Sequence, residues 1–451
     1  MLIEQVRKTR SKILAKTDTL GSYDFFTTII TLDGFDKKDL GILYQCRTSI
    51  DMHHKNKTPL EYDTYDSLAR FYSIACHEYT HFLDCTSTLW GFRYLKCMSD
   101  AYSVDNLRFP KQSEENFHFA KKFSDYINYI KLPNYFTEIP KTSRESSCWH
   151  FSESIGNRFT GTGNISEHPV LFVRFLNENN ELIVRSPIST LSILECSAMA
   201  QEIQYKVKIM CSLGDTKEFD VEICKYNREL KEYLYDRSIT EYSVCAHLVS
   251  SFFGIQDSYE AFKFCAIICR YVLNTPLSAY DSIVENCDLS KIFGLEGKYE
   301  FLKRMKLGIK YKEPGFLFYL LCRAMKNNYI NDISSELIIS AYVDLGISKE
   351  DLRVMSNNEL IKLKYELSQS RIPYIVTVAD AGIENYNMIE SDNPSIDFHK
   401  MNIPPVILSC NTVVDVMSGD DNKLKGYDID SLYYDLVKGQ LWVERFTEAC
   451  I

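Results

Sequence analysis

The chain has 451 residues and a formal net charge of −10, with 45% hydrophobic and 25% charged residues. That length suits two or three packed units around a large core. The acidic balance excludes a generally basic nucleic-acid surface, and 13% aromatic content excludes a disordered chain.

In chain order, residues 2–16 are predicted as a helix, and the opening stretch lacks the apolar segment of a secretory signal. No run reaches the about 18 uninterrupted apolar residues of a membrane span. Fifteen cysteines with no Cys-x-x-Cys pair point to free thiols in a reducing compartment, so the expected location is cytoplasmic. Strands are predicted at 25–32 (FFTTIITL) and 41–52 (GILYQCRTSIDM), both rich in Ile, Thr and aromatics.

After a polar loop at 53–63, a helix is predicted through SLARFYSIACHEYTHFLDC, with Asp63 or Thr64 as its cap. Leu68, Phe71, Tyr72 and Ala75 give it an apolar face at helical spacing. A second helix is expected at 88–103. Residues 104–168 read as an irregular insertion carrying one helix, about 113–130. A hairpin follows, 170–176 and 181–185, around an Asn-Glu-Asn-Asn turn.

Ser186-Pro187 is then expected to open a helix containing LECSAMAQEIQ, because Pro fits a first helical turn. Beyond about 216, helices are predicted at 217–235, 239–253, 258–273, 297–308, 314–328, 334–344 and 357–370. The expected fold class is α+β, predominantly helical. An α+β unit over 1–215 precedes a mainly helical unit over 216–451.

One stretch carries chemistry: ACHEYTHFLDC, residues 75–85. Positions i and i+4 share a helix face, so His77 and His81 can offer imidazole nitrogens to one metal ion. Glu78 can orient toward a water on that metal and act as general base. A catalytic zinc site takes three protein ligands and keeps one open position. A third histidine six residues after the second is excluded, since position 87 is Ser. Asp84 shares the histidine face and suits a supporting partner or a cap. The better third ligand is Glu195, which lies two turns before Glu202 on one helix face, with small Ala198 between them.

A helix that supplies a glutamate opposite a His-Glu-x-x-His helix resembles the gluzincin branch of the zincin metallopeptidases. Glu195-Cys196-Ser197-Ala198 is similar to the Glu-x-x-Ala stretch that carries their third ligand. HEYTHFLDCTSTLWG also resembles uncharacterised bacterial zincin-like proteins reading His-Glu-Tyr-x-His-Phe-Leu-Gln, which carry a later stretch with two glutamates. The resemblance covers about a tenth of the chain. It implies a zincin-like core with Zn2+ on His77, His81 and Glu195, Glu78 as base, and Glu202 orienting a ligand histidine or lining the site. It also implies an edge strand that pairs with an extended peptide substrate; 41–52 or the hairpin at 170–185 could serve.

Other candidates are weaker. His247 lies on an apolar helix and reads as a core histidine, and His150 sits in the irregular insertion. His53 and His54 read as a solvent-exposed loop. Cys265 and Cys269, four apart among apolar residues, read as core, and Cys76 and Cys196 should point away from the metal. An oxyanion-stabilising Tyr cannot be chosen among thirty. Phosphate-binding, dinucleotide-binding and serine-hydrolase motifs are missing. The expected activity is a cytoplasmic zinc metallopeptidase with a protein or peptide substrate, no nucleic acid and no membrane partner. The alternative is a bacterial defence or toxin-type effector or sensor, whose zincin unit acts on or binds one specific partner.

Overall fold

The computed structural model describes residues 20–44, 46, 58–105, 108–109, 114–141, 149–159, 163–294, 299–326, 333–417, 428 and 432–449. The predicted helix at 2–16 and the pair His53-His54 lie outside them. The described chain is predominantly helical with two small sheets. No helix among the described residues is long and apolar enough to cross a membrane.

The front of the chain is less extended than its composition suggests. Only β1 (Ser22–Tyr23) and β2 (Ile30–Leu32) form strands. Asp24 breaks the run between them: its carboxylate accepts from Phe26 N and its carbonyl from Thr28 N, and Thr28 takes φ 55. A short acceptor side chain folding onto its own backbone competes with a sheet ladder. The strand predicted at 41–52 is corrected where it is described. Residues 37–44 and 46 are helical, started by Asp36, whose carboxylate accepts from Lys38 N and Asp39 N.

The helix α1 (Tyr62–Thr86) covers the motif. Its cap is Glu61 without a side-chain bond, so neither Asp63 nor Thr64 caps it; Asp63 sits in the first turn, where a carboxylate suits the helix dipole. Thr88 caps the next helix, α2 (Leu89–Tyr102), by accepting from Gly91 N. The expected insertion is more ordered than its polar sequence implies. It holds α3 (His118–Ile130) and a ten-residue strand, β3 (His150–Phe159). That strand pairs antiparallel with β4 (Ile165–Leu176), which pairs with β5 (Leu182–Pro187).

Pro187 therefore ends a strand and does not open a helix. The helix α4 (Thr190–Met210) starts three residues later, where Ser189 and Ser192 form a reciprocal capping box that satisfies two orphan amides. Helices α5 (Lys217–Leu234), α6 (Thr240–Phe253) and α7 (Ser258–Leu273) follow closely along predicted positions. Beyond them run α8 (Leu277–Asn286), α9 (Leu289–Phe293), α10 (Tyr299–Lys310), α11 (Pro314–Lys326), α12 (Ser335–Asp344), α13 (Lys349–Ser368) and α14 (Pro373–Met388).

The chain then returns to its front. Strand β6 (Val406–Leu408) pairs parallel with β2, Thr31 opposite Ile407, and β7 (Val413–Val414) completes the order β1-β2-β6-β7. Helix α15 (Lys438–Ala449) packs on α2 and α3. At the centre, α1 lies along α4, and α4 in turn lies on α6 and α7. One apolar cluster runs through the regions 1–215 and 216–451.

Candidate metal centre

His77 and His81 stand one turn apart on the face of α1 that meets α4. Their ring centroids are 4.9 Å apart and their Nε2 atoms 3.2 Å apart. Across the helix pair, Glu195 Oε2 lies 3.4 Å from His77 Nε2 and 3.3 Å from His81 Nε2. Buried Ala198, one turn along α4, adds no bulk to the contact between the helices. A tetrahedral ion with bonds of about 2.0–2.1 Å requires donor–donor edges of about 3.3–3.4 Å. The three atoms thus form one face of such a tetrahedron. Among the described residues no other group of His, Cys, Asp and Glu has this spacing.

The electrostatics of the triangle fit a cation. All three side chains are buried, and neither oxygen of Glu195 accepts a hydrogen bond. A buried carboxylate without donors is costly unless positive charge stands beside it. Burial pushes the Glu195 carboxyl up, but His81 and His77 outweigh it and hold the group at about 2. Burial also opposes charge on the histidines. Contact with Glu195 and Glu202 reverses this for His77, and Glu195 does so for His81, so both bind protons more tightly than a free imidazole. Two nitrogens, one carboxylate oxygen and an excess of negative field make a donor set that could hold a metal ion.

Glu202 supports the set from behind. Its Oε2 accepts from His77 Nδ1 at 2.9 Å, which leaves the Nε2 lone pair aimed at the shared point. Asp84 behaves differently. No hydrogen bond joins it to either histidine, and His81 Nδ1 has no partner. Its carboxyl bonds the Ser197 side chain and faces a separate cavity, and burial raises it to about 7.

Beside the triangle lies a cleft of about 240 Å³ whose walls include Gly21, His77, Glu78, Glu202 and Tyr233; of the three triangle residues, His77 lines it. Glu78 is buried against Gly21, where a Cβ would fall 2.8 Å from its Oε1. A side chain at this position would also crowd Ile74 Cγ2, at 2.9 Å, so any larger residue displaces the Glu78 or Ile74 side chain. Tyr233, in the last turn of α5, presents a buried hydroxyl with no hydrogen-bond partner. Burial, then the charges of Glu202 and Glu195, keep it protonated. Nothing in the sequence distinguishes it from the other tyrosines.

The remaining candidates lie elsewhere. His150 is exposed and bonds Asn180 Oδ1. His247 is buried, stacked on Trp149, and bonded through Nε2 to the Leu234 carbonyl. Cys76 is buried, and Cys196 is buried against Cys245, Cys265 and Cys269. The cysteines of the described residues are free thiols. Neither the hairpin nor 41–44 lines the cleft; the segment that reaches it is Leu20 and Gly21, just ahead of β1. Comparison of the chain with protein-family models, with curated proteins and with solved structures finds no match in any of the three.

Proposed function

We propose that this chain is a zinc-dependent peptide hydrolase with a gluzincin-like centre, and that the triangle of His77 Nε2, His81 Nε2 and Glu195 Oε2 is the observation that carries the reading. When bound, zinc would polarise the scissile carbonyl and lower the pKa of the attacking water. The chain's own residues do the rest. Glu78, buried in the same cleft, accepts the water's proton and returns it to the leaving amine. Tyr233, held protonated, donates its otherwise unused hydroxyl to the oxygen that gains charge. Glu202 holds His77 in the required tautomer.

The substrate enters as an extended segment. Among the described residues β1 pairs only with β2, at the edge of its sheet, and Gly21, the residue before it, carries the chain past Glu78. Backbone bonds to this edge would set the peptide across the cleft. At about 240 Å³ the cleft is smaller than the usual small-molecule pocket of about 300–1,000 Å³.

Glu78→Gln separates chemistry from binding. It should keep its zinc and lose hydrolysis by about 10²–10⁴-fold, the usual contribution of a positioned acid–base group. Full activity in that variant removes Glu78 from the reaction. Purified protein without zinc removes the whole reading.

A further inference from the structure

A second cavity, about 330 Å³, lies beyond the metal ligands, between the end of α1, α4, α7 and the first turns of α13. Its floor and its mouth differ in chemistry. At the floor Asp84 is more than nine-tenths buried, and its Oδ2 has no hydrogen-bond partner. This carboxylate oxygen, buried beside the cavity, lacks a donor, and a ligand that reaches it can supply one. Arg270, also buried, lines the same space, its guanidinium steered by the carbonyls of Glu390 and Asn393.

The mouth is cationic. Lys349, Leu352, Arg353 and Ser356 are spaced i, i+3, i+4 and i+7, so the start of α13 presents one face to the cavity. Lys349 is exposed and makes no salt bridge, while Arg353 is shared with Glu350. The positive end of a twenty-residue helix adds to their field. Glu350 and Asp351 share that first turn, so Lys349 at the mouth and Arg270 below it are the lining cations without a salt bridge. Between floor and mouth, Tyr271, Tyr342 and Tyr386 contribute rings and Ile339 and Ile389 aliphatic surface.

We propose that this cavity binds a mononucleotide, with the base inside, an N–H donating to Asp84 Oδ2, and the phosphate at Lys349 and Arg353. The layout matches each part of that ligand: an acceptor for the base edge, tyrosine side chains for its ring, and Lys349, which makes no salt bridge, for its charge. The volume lies at the lower end of pockets for molecules of this size. An amino acid or dipeptide would use the floor alone and leave the mouth idle. The site does not depend on the metal reading, although Asp84 and Ser197 belong to the helices that carry His81 and Glu195.

Calorimetric titration of the full chain with AMP, GMP, CMP and UMP, with and without chelator, tests the site. At least one nucleotide should bind once per chain, and inorganic phosphate alone at least tenfold more weakly. Lys349→Glu, at an exposed position, should weaken the nucleotide at least tenfold without moving the thermal midpoint. Asp84→Asn should weaken it and change the base preference. Millimolar nucleotide that does not bind, binding indifferent to Lys349→Glu, or binding of glycyl-phenylalanine in place of any nucleotide would overturn the assignment.

Discussion

His81 and His247 are equally hidden, 2% and 4% exposed, and each sits on a helix in the apolar core. They are opposite in character. His247 is surrounded by Trp149, Phe175 and Tyr235, with ring centroids 4.8 to 5.1 Å away, and burial drives its pKa down to about 4. His81 suffers the same burial, yet Glu195 raises its affinity for protons. Burial supplies a dry cavity in both places. Only carboxylate company turns that cavity into a place for a cation, and α4 brings it by laying Glu195 and Glu202 along α1.

The contrast can be broken most forcefully at Glu195. Glu195→Ala should cost metal affinity more than the about 10–100-fold typical of losing an outer partner. Zinc at a thousandfold excess over its dissociation constant should stabilise the parent by about 4 kcal/mol and the variant by about 1.4 kcal/mol or less. Thermal melts with and without chelator measure both. Equal metal-induced shifts in the two proteins would show that the carboxylate is not a ligand.

Acid probes the other histidine. His247 has a lowered folded pKa, so the unfolded chain binds its proton first and stability falls as pH drops from about 6.5 toward 4. The shift corresponds to a loss of about 3 kcal/mol at most, at 1.36 kcal/mol per pKa unit. Unfolding of His247→Phe should lack that acid-dependent loss and keep full metal content, at a cost of about 1–2 kcal/mol near pH 7 for the orphaned Leu234 carbonyl. The smallest effect belongs to Glu202→Ala, which should weaken metal binding by about 10–100-fold without abolishing it. Competition with a metal indicator resolves a change of that size.

What could be read from the sequence follows from the range of the forces involved. His77, Glu78 and His81 are legible because helical spacing is local, and α5, α6 and α7 because Thr216 caps the first, Asp257 caps the third and Gly254 ends the second. Glu195 needed its own helical spacing with Glu202 and a likeness to a known arrangement. Tyr233 was invisible, since only tertiary packing brings the end of α5 to the cleft. Strand β3, with Ser152, Glu153, Gly156 and Asn157, has little strand propensity and is specified by its partner β4. Pro187 was misplaced because the capping pair Ser189 and Ser192 outweighs the preference of proline for a first helical turn. The start of α13 at Lys349, eight residues ahead of expectation, is the part that walls the second cavity.

The parallel pairing of Thr31 with Ile407 also has a temporal meaning. A ribosome releases the three proposed ligands at 77, 81 and 195 well before residue 407 exists. Parallel strands so far apart in sequence close late and slowly. The sheet that anchors β1 beside the cleft is therefore completed only after Val413 and Val414 have been made. A nascent chain would own its ligands before it owned the ledge on which a substrate is laid.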